Sequence, residues 1–111
     1  MEIIKYRDLN PIPTSHDPSL LKYVLVSSGK LPSGKMFDFS EICLEENKNE
    51  DVETGPKEYY IYIHNIGSSC VSYKGQNTII DENDMIIVNP LSKVRISSLG
   101  SSLYCLKWEM D

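Results

Sequence analysis

Several features that mark membrane-bound, secreted or nucleic-acid-binding proteins are missing from this sequence. No apolar run approaches the roughly 20 residues that a membrane helix needs, and the segment Met1 to Lys5 lacks the charged-then-apolar pattern of a signal peptide. No basic cluster occurs, and 16 acidic against 11 basic residues give a net charge of -5. Such a surface repels phosphate backbones and anionic membranes, so we expect no nucleic-acid or membrane partner. Because neither a membrane helix nor a signal pattern is found, we expect a cytoplasmic protein.

Cysteine is also scarce. The chain has only Cys43, Cys70 and Cys105, an odd number at wide spacing without a C-x-x-C pair. This excludes a disulfide framework and a cysteine-based zinc site, so we expect three reduced, mostly buried thiols that pack as small hydrophobes. The G-x-G-x-x-G, P-loop and G-x-S-x-G motifs are absent as well, and we assign no cofactor.

The composition is that of an ordinary globular domain, with 41% hydrophobic and 24% charged residues. A length of 111 residues fits one domain, which we divide into an N-terminal segment (1–22) and a barrel (23–111). So small a core favours association, and we predict a homodimer to which Ile3 and Ile4 add an edge strand.

Short β-branched and aromatic runs separated by turn residues predict an all-β protein, a sandwich or a barrel. A short helix is predicted over 17–22, because Asp17 and Pro18 suit a helix start. The acidic stretch 45–55 is interpreted as a solvated loop, and hairpin turns are predicted at Ile66-Gly67 and at 99–101. The predicted strands are 23–27, 35–44, 58–64, 69–73, 78–80, 85–88, 93–97 and 103–108.

The C-terminal half resembles the cupin superfamily in its spacing and turn chemistry. The first motif of that family reads histidine-x-histidine, three or four residues, glutamate, six residues, glycine; here Glu58 occupies the glutamate position and Asn65 the glycine position. In the second motif, Glu82-Asn83-Asp84 occupies the proline-glycine-aspartate position, and 85–88 is the apolar strand that follows. The resemblance implies a single-domain cupin-type jelly roll, or double-stranded β-helix barrel; a non-cupin sandwich is the alternative.

The same resemblance implies that the metal histidines of the family are lost. Their positions fall on Asp51, Glu53 and Val94, and only Glu58 remains of the usual four ligands. We therefore predict no transition-metal site. Asp51, Glu53 and Glu58 remain weak candidates for a site that takes a hard cation such as magnesium or calcium, and a solvated run of loop acids is the simpler interpretation.

Alternation along 58–64 places Glu58, Tyr60, Tyr62 and His64 on one face of the strand. If Glu58 faces the barrel interior, as the resemblance implies, these four residues are the ligand-pocket candidates. Ordinary aromatic packing is the competing interpretation.

The same alternation places Lys93 and Arg95 outside if Val94 is inside. A register slip would instead turn the two cations into an anion site in the pocket.

Two functions follow. The first is a metal-independent barrel that binds a small polar or aromatic molecule or serves as an accessory module. The second is a small cupin enzyme of the isomerase, epimerase or lyase type that uses interior Tyr, His and Glu, with or without a carboxylate-bound divalent metal; the sequence identifies no catalytic residue.

Overall fold

Strands make up most of the molecule. The structure, a computed structural model, describes residues 1–55 and 59–111, and in these residues it contains no α-helix and no helix that could cross a membrane. Two 3-10 turns span Tyr6–Asp8 and Ser28–Lys30. The strands are β1 (Glu2–Ile4), β2 (Ile12–Pro13), β3 (Leu21–Lys22), β4 (Gly34–Leu44), β5 (Asn49–Glu53), β6 (Tyr59–Tyr73), β7 (Gln76–Ile80), β8 (Met85–Val88) and β9 (Lys93–Met110). The all-β prediction is confirmed.

The two long strands, β6 and β9, run antiparallel through the whole molecule and build both of its layers. The first half of β6 and the second half of β9 form a five-stranded layer in the order β1-β8-β6-β9-β4. Their other halves form a four-stranded layer in which β5 adds to β9 and β7 adds to β6. One hydrogen-bonded sheet therefore folds over on itself.

Apolar side chains from both layers fill the space between them. Ile61, Ile63 and Leu103 come from the five-stranded layer, and Val71 and Val94 come from the other layer; all five belong to one buried cluster. Alternation along each strand explains this, because β-branched side chains two residues apart enter the same interior face.

Both glycine-containing segments that were predicted to turn the chain back instead bend a continuous strand. Gly67, with φ of +97°, lies at an irregularity in the β6–β9 register, and Gly100, with φ of +99°, lies opposite it in β9. The hairpin predictions at Ile66-Gly67 and at 99–101 are therefore wrong. A β-bulge with a left-handed residue bends a strand, which is how β6 and β9 pass from one layer to the other.

The N-terminal third and the acidic stretch also differ from expectation. The helix predicted over 17–22 is absent, because Asp17 caps a tight turn through the Ser19 N–H, and Leu21–Lys22 then pairs with β2. The strand predicted over 23–27 is irregular. Half of the predicted acidic loop is β5, which pairs with β9.

A buried carboxylate fastens the N-terminus to the barrel. Asp84, 2% exposed, accepts hydrogen bonds from the Lys5 ammonium at 2.9 Å, the Tyr6 N–H at 2.9 Å and the Asp81 N–H at 2.8 Å. Burial by itself would raise the pKa of Asp84, but these bonds hold it below its ordinary value. As a result β1, which contains Ile3 and Ile4, pairs with β8 of its own chain.

Gly67→Ala tests the bend. A Cβ at this position would lie 2.4 Å from the Gly100 carbonyl oxygen, at a φ that L-residues rarely adopt. We expect the free energy of unfolding to fall by about 2 kcal/mol or more. Gly29→Ala is the matched control, because a Cβ at Gly29 has no neighbour within 4 Å. Urea denaturation measures both variants, and an equal response would contradict the assignment.

Asp84→Asn tests the N-terminal anchor. At neutral pH we expect a loss of about 2 kcal/mol in the free energy of unfolding, because the Lys5 ammonium loses its charged partner. The folded pKa of Asp84 is lowered, so its stabilisation is present above the ordinary pKa of aspartate and is lost as pH falls through the folded value. The two proteins should therefore converge in urea denaturation as the pH falls below the ordinary pKa of aspartate and through the lower folded value. Asp81→Asn, at an exposed partner of Lys5, should lose less than about 0.5 kcal/mol; a loss as large as that of Asp84→Asn would refute the anchor.

Candidate functional site

The tyrosine and histidine strip of β6 lies outside the barrel. Ile61 and Ile63 enter the buried cluster between the layers, whereas Tyr62 packs with Met85 on the outer face of the five-stranded layer. Tyr60 packs against the same outer cluster. His64 lies two residues beyond Tyr62 in β6 and is therefore on the same face of the strand. The interior orientation predicted for Tyr60, Tyr62 and His64 is therefore wrong, because the isoleucines occupy the interior. Glu58, from which that orientation was inferred, lies outside the described residues.

Three of the four positions that correspond to metal ligands in the cupins lie within residues 1–55 and 59–111, and these three do not supply a metal-ligand set. Asp51 binds Arg95 in a two-pronged contact, with Nε to Oδ1 at 2.8 Å and Nη2 to Oδ2 at 3.2 Å, and this contact lowers the pKa of Asp51. Glu53 is exposed, and Val94 is fully buried opposite Val52. Within residues 1–55 and 59–111, no three His, Cys, Asp or Glu side chains are grouped as metal ligands would be. At the three imidazole positions, a carboxylate paired with Arg95, an exposed carboxylate and a buried valine thus stand in place of histidines.

The cations of β9 take the orientation that alternation predicted. Arg95 and Lys93 are exposed, on the opposite face from the buried Val94 and Ile96. The alternative, an anion site made by these two cations inside the pocket, is contradicted.

The mouth of the barrel contains a small polar cavity of about 220 Å³. Ser40, Glu50, Cys105 and Lys107 are among its lining residues, and Lys107 Nζ lies 3.9 Å from Asp38 Oδ2. Burial, assisted by the charge of Glu50, raises the pKa of the Cys105 thiol to about 11. A thiol that stays protonated at neutral pH is a weak nucleophile. Cys105 is therefore a packing residue, in contrast to the exposed Cys43; all three cysteines are free.

A larger cavity lies on the outer face of the five-stranded layer. It has a volume of about 590 Å³ and is bounded on one side by the irregular segment 24–31. Its lining is mainly apolar and consists of Val24, Leu25, Val26, Leu31, Phe39, Tyr62, His64, Met85, Tyr104 and Leu106. We call this cavity the outer groove.

Two polar residues that line the outer groove, His64 and Tyr104, lie side by side in the sheet, and Glu41 and Asn83 adjoin them outside the lining. His64 and Tyr104 are register partners with ring centroids 6.4 Å apart, and Glu41 is the next register partner of Tyr104. The neighbouring Tyr104 hydroxyl, and then the Cys43 thiol 3.1 Å from Glu41 Oε1, lower the pKa of Glu41. The His64 Nε2 atom lies 3.1 Å from Asn83 Oδ1. The groove therefore combines apolar walls with one row of donors and acceptors.

The wall formed by the segment 24–31 is tied to the sheet by two side chains. Tyr62 donates its hydroxyl to the Lys30 carbonyl at 2.6 Å, and Trp108 donates its indole N–H to the Pro32 carbonyl at 2.9 Å. Burial, and then the neighbouring Tyr60, raise the pKa of Tyr62 to about 12. The ring of Tyr62 is therefore groove wall, and its hydroxyl is a structural donor.

Sequence reasoning identified two of the groove residues, Tyr62 and His64, and missed the rest. Alternation along 103–108 and along β4 could have placed Tyr104, Leu106 and Phe39 on the same outer face. The contribution of the segment 24–31 has no such signal, because the segment has no regular period.

No protein-family model matches the sequence, and no curated protein matches it either. Solved structures do resemble the fold. The 3,4-ketoisomerase QdtA from Thermoanaerobacterium thermosaccharolyticum is 14% identical with a TM-score of 0.57, over 99% of this chain and 80% of that one. A predicted oxalate decarboxylase from Thermotoga maritima is 13% identical with a TM-score of 0.55, over 96% of both chains. The Cnp3 cupin domain of Schizosaccharomyces pombe is 12% identical with a TM-score of 0.50, over 96% of this chain and 86% of that one.

At these identities the likeness shows the fold alone. The fold is that of the cupins, as the spacing of the sequence motifs implied, and the non-cupin sandwich is excluded. Cupin-fold neighbours include an isomerase and a predicted decarboxylase.

Tyr62→Phe tests the structural role of the hydroxyl. We expect the free energy of unfolding at neutral pH to fall by about 1 kcal/mol, because the Lys30 carbonyl loses its donor. The pKa of Tyr62 is higher in the folded chain than in the unfolded chain. The protonated phenol therefore stabilises the fold fully below the unfolded pKa, and this stabilisation is lost as the pH rises toward 12. The variant should therefore lose less stability than the wild type in alkaline urea titrations. A steeper alkaline loss in the variant would contradict this role.

Proposed function

Given the cupin fold, we propose that this chain is a metal-independent binding protein for a small, mainly apolar or aromatic molecule with one hydrogen-bonding end. The observation that supports this most is the outer groove, whose walls are mainly apolar while His64 and Tyr104 adjoin in one row. Such a division suits a planar molecule that stacks on the walls and places a polar group against the histidine and the tyrosine.

Size favours the outer groove over the barrel mouth. Cavities that bind small molecules have volumes of roughly 300–1,000 Å³. The outer groove, at about 590 Å³, falls within this range, whereas the mouth cavity, at about 220 Å³, falls below it. The mouth also contains the Lys107 ammonium and the Glu50 carboxylate, which would have to lose water for an apolar ligand to enter.

The expected affinity is modest. Burying about 150 Å² of an aromatic ligand yields about 4 kcal/mol at 25 cal/mol per Å², before the cost of association is subtracted. The polar row contributes about 1 kcal/mol for each hydrogen bond that it makes. Ligand selection thus depends mainly on the shape of the walls, and the polar row sets the orientation.

Binding is favoured over the enzymatic alternative, an isomerase, epimerase or lyase, because the groups proposed for acid–base work are committed elsewhere. Tyr62 is tied to Lys30 and has a pKa of about 12, and Tyr60 is not among the groove lining. His64 and Tyr104 do line the groove, but His64 Nε2 lies 3.1 Å from Asn83 Oδ1 and Tyr104 adjoins Glu41. We therefore assign them to hydrogen bonding with a ligand and not to proton transfer.

We also propose that the protein acts in a reducing compartment, the cytoplasm. Three free cysteines, one of them exposed, are compatible with the cytoplasm, where thiols stay reduced.

Titration of the isotope-labelled protein with indole, monitored by NMR, tests the proposal. Indole is neutral and aromatic and carries one N–H donor. We expect saturable shifts for amides around the outer groove, including those of Leu31, His64 and Tyr104. Leu31→Asp, which places a charge in the wall, should raise the Kd about tenfold or more.

Leu99→Asp is the matched control, because Leu99 is an exposed leucine outside the groove lining, and it should leave the Kd unchanged. Shifts confined to the barrel mouth, no saturable shifts at all, or an equal effect of Leu31→Asp and Leu99→Asp would each refute the outer groove as the binding site.

A further inference from the structure

Three side chains that line the outer groove, those of Tyr62, His64 and Tyr104, belong to types that can both donate and accept a hydrogen bond. The other lining residues are apolar, and among the described residues the lining includes no lysine, arginine, aspartate or glutamate. The kind of polar group that the groove accepts therefore depends on where these three side chains direct their protons.

The proton of the Tyr62 hydroxyl is donated within the protein. It bonds to the Lys30 carbonyl oxygen, with 2.6 Å between the two oxygens. A hydroxyl that has donated its single proton can only accept a further hydrogen bond. Tyr62 therefore gives a ligand no donor.

Asn83 holds His64 in one tautomer. Asn83 Oδ1 lies 3.1 Å from His64 Nε2, and an amide oxygen only accepts, so Nε2 of the neutral imidazole carries the proton. The other ring nitrogen, Nδ1, then has a lone pair and acts as an acceptor. The backbone that carries the Asn83 side chain is itself fixed, because its N–H bonds to the Asn65 carbonyl at 2.8 Å.

Glu41 sets the direction of the Tyr104 hydroxyl. The two residues are register partners in β4 and β9. Their interaction lowers the pKa of Glu41 and raises the pKa of Tyr104. Because an ionised carboxylate accepts and cannot donate, the Tyr104 hydroxyl directs its proton to Glu41 and keeps its lone pairs for another partner.

We propose that the outer groove selects ligands that donate a hydrogen bond, and that Asn83 sets this selection by positioning the proton of His64. The inference rests on the proposed function and names its ligand class, aromatic molecules with an N–H or O–H donor. A ligand that offers only a carbonyl or ether oxygen would meet the lone pairs of His64 Nδ1 and Tyr104 Oη. A carboxylate would in addition meet the negative charge of Glu41.

NMR titrations with indole and benzofuran, two molecules of nearly equal shape, test the selection. Indole has an N–H donor where benzofuran has a ring oxygen. We expect the Kd of indole to be at least about tenfold lower, because benzofuran leaves the acceptors of the groove without a partner. Equal Kd values at the outer groove would overturn the inference and leave the proposed function standing. No saturable shifts at the groove with either probe would refute both.

Asn83→Gly tests the positioning role, because Asn83 has a φ of 68° that glycine adopts without strain. Without the amide oxygen, His64 can carry its proton on either nitrogen and can donate to benzofuran. We expect the preference for indole to fall to about threefold or less. Asn47→Gly is the matched control, because Asn47 also has a φ of 68° and lies outside the groove lining. Equal preferences in the two variants would overturn the role of Asn83.

Long-range proton–nitrogen NMR spectra at about pH 8, above the range in which histidine ordinarily gains a proton, report the tautomer without any ligand. His16→Gln removes the other histidine, which is exposed, and so assigns the signals of His64. We expect the proton on Nε2 in the wild type and in Asn47→Gly, and a mixture of tautomers in Asn83→Gly. A proton on Nδ1 in the wild type would overturn the inference, even if Asn83→Gly does not fold.

Discussion

The pairing of β6 with β9 is the interaction on which the rest of the structure depends. These strands contribute to both layers, and every other strand except β1 and the β2–β3 pair adds directly to one of them. Because side chains alternate along a strand, the register of this one pair decides which residues enter the core. Moving β6 by one residue would turn Ile61 and Ile63 to the outer face and place Tyr62 and His64 between the layers. Each exposed isoleucine would cost about 1.5–3 kcal/mol, and the buried imidazole would need a new partner.

The strands bounded by clear turns could be predicted from the sequence. The predicted 85–88 is β8, and 35–44 falls within β4, because short apolar runs between turn residues have one simple interpretation. Gly67 and Gly100 could not be interpreted in this way. A glycine-rich turn signal looks the same whether the chain reverses or a long strand bends, and the pairing partners that decide between them lie far along the chain. The strand β5 could not be recognised within the acidic stretch for a similar reason. It forms by pairing with β9, where Asp51 contacts Arg95, a residue 44 positions further along the chain.

The candidate site was predicted in part and on the wrong side of the sheet. Alternation correctly grouped Tyr60, Tyr62 and His64 on one face, but it cannot tell which face is inside. The resemblance placed that face in the barrel, whereas the isoleucines on the opposite face, which lose more free energy if exposed, determine the outcome. The remaining wall of the groove comes from the segment 24–31, which has no periodic pattern by which it could be recognised.

Filling the barrel has a consequence for where a ligand can bind. Close-packed valine and isoleucine fill most of the space between the layers and leave only the small polar cavity of about 220 Å³ at its edge. The outer face has no such restriction, because one wall of its groove is an irregular segment held by hydrogen bonds from Tyr62 and Trp108. Leu25 and Val26 of the same segment also pack against Tyr62, Met85 and Ile87, so the wall is held by apolar contacts as well as by these two bonds. The apolar interior therefore supports the sheet from one side, and the segment 24–31 supplies the wall that makes its outer face concave.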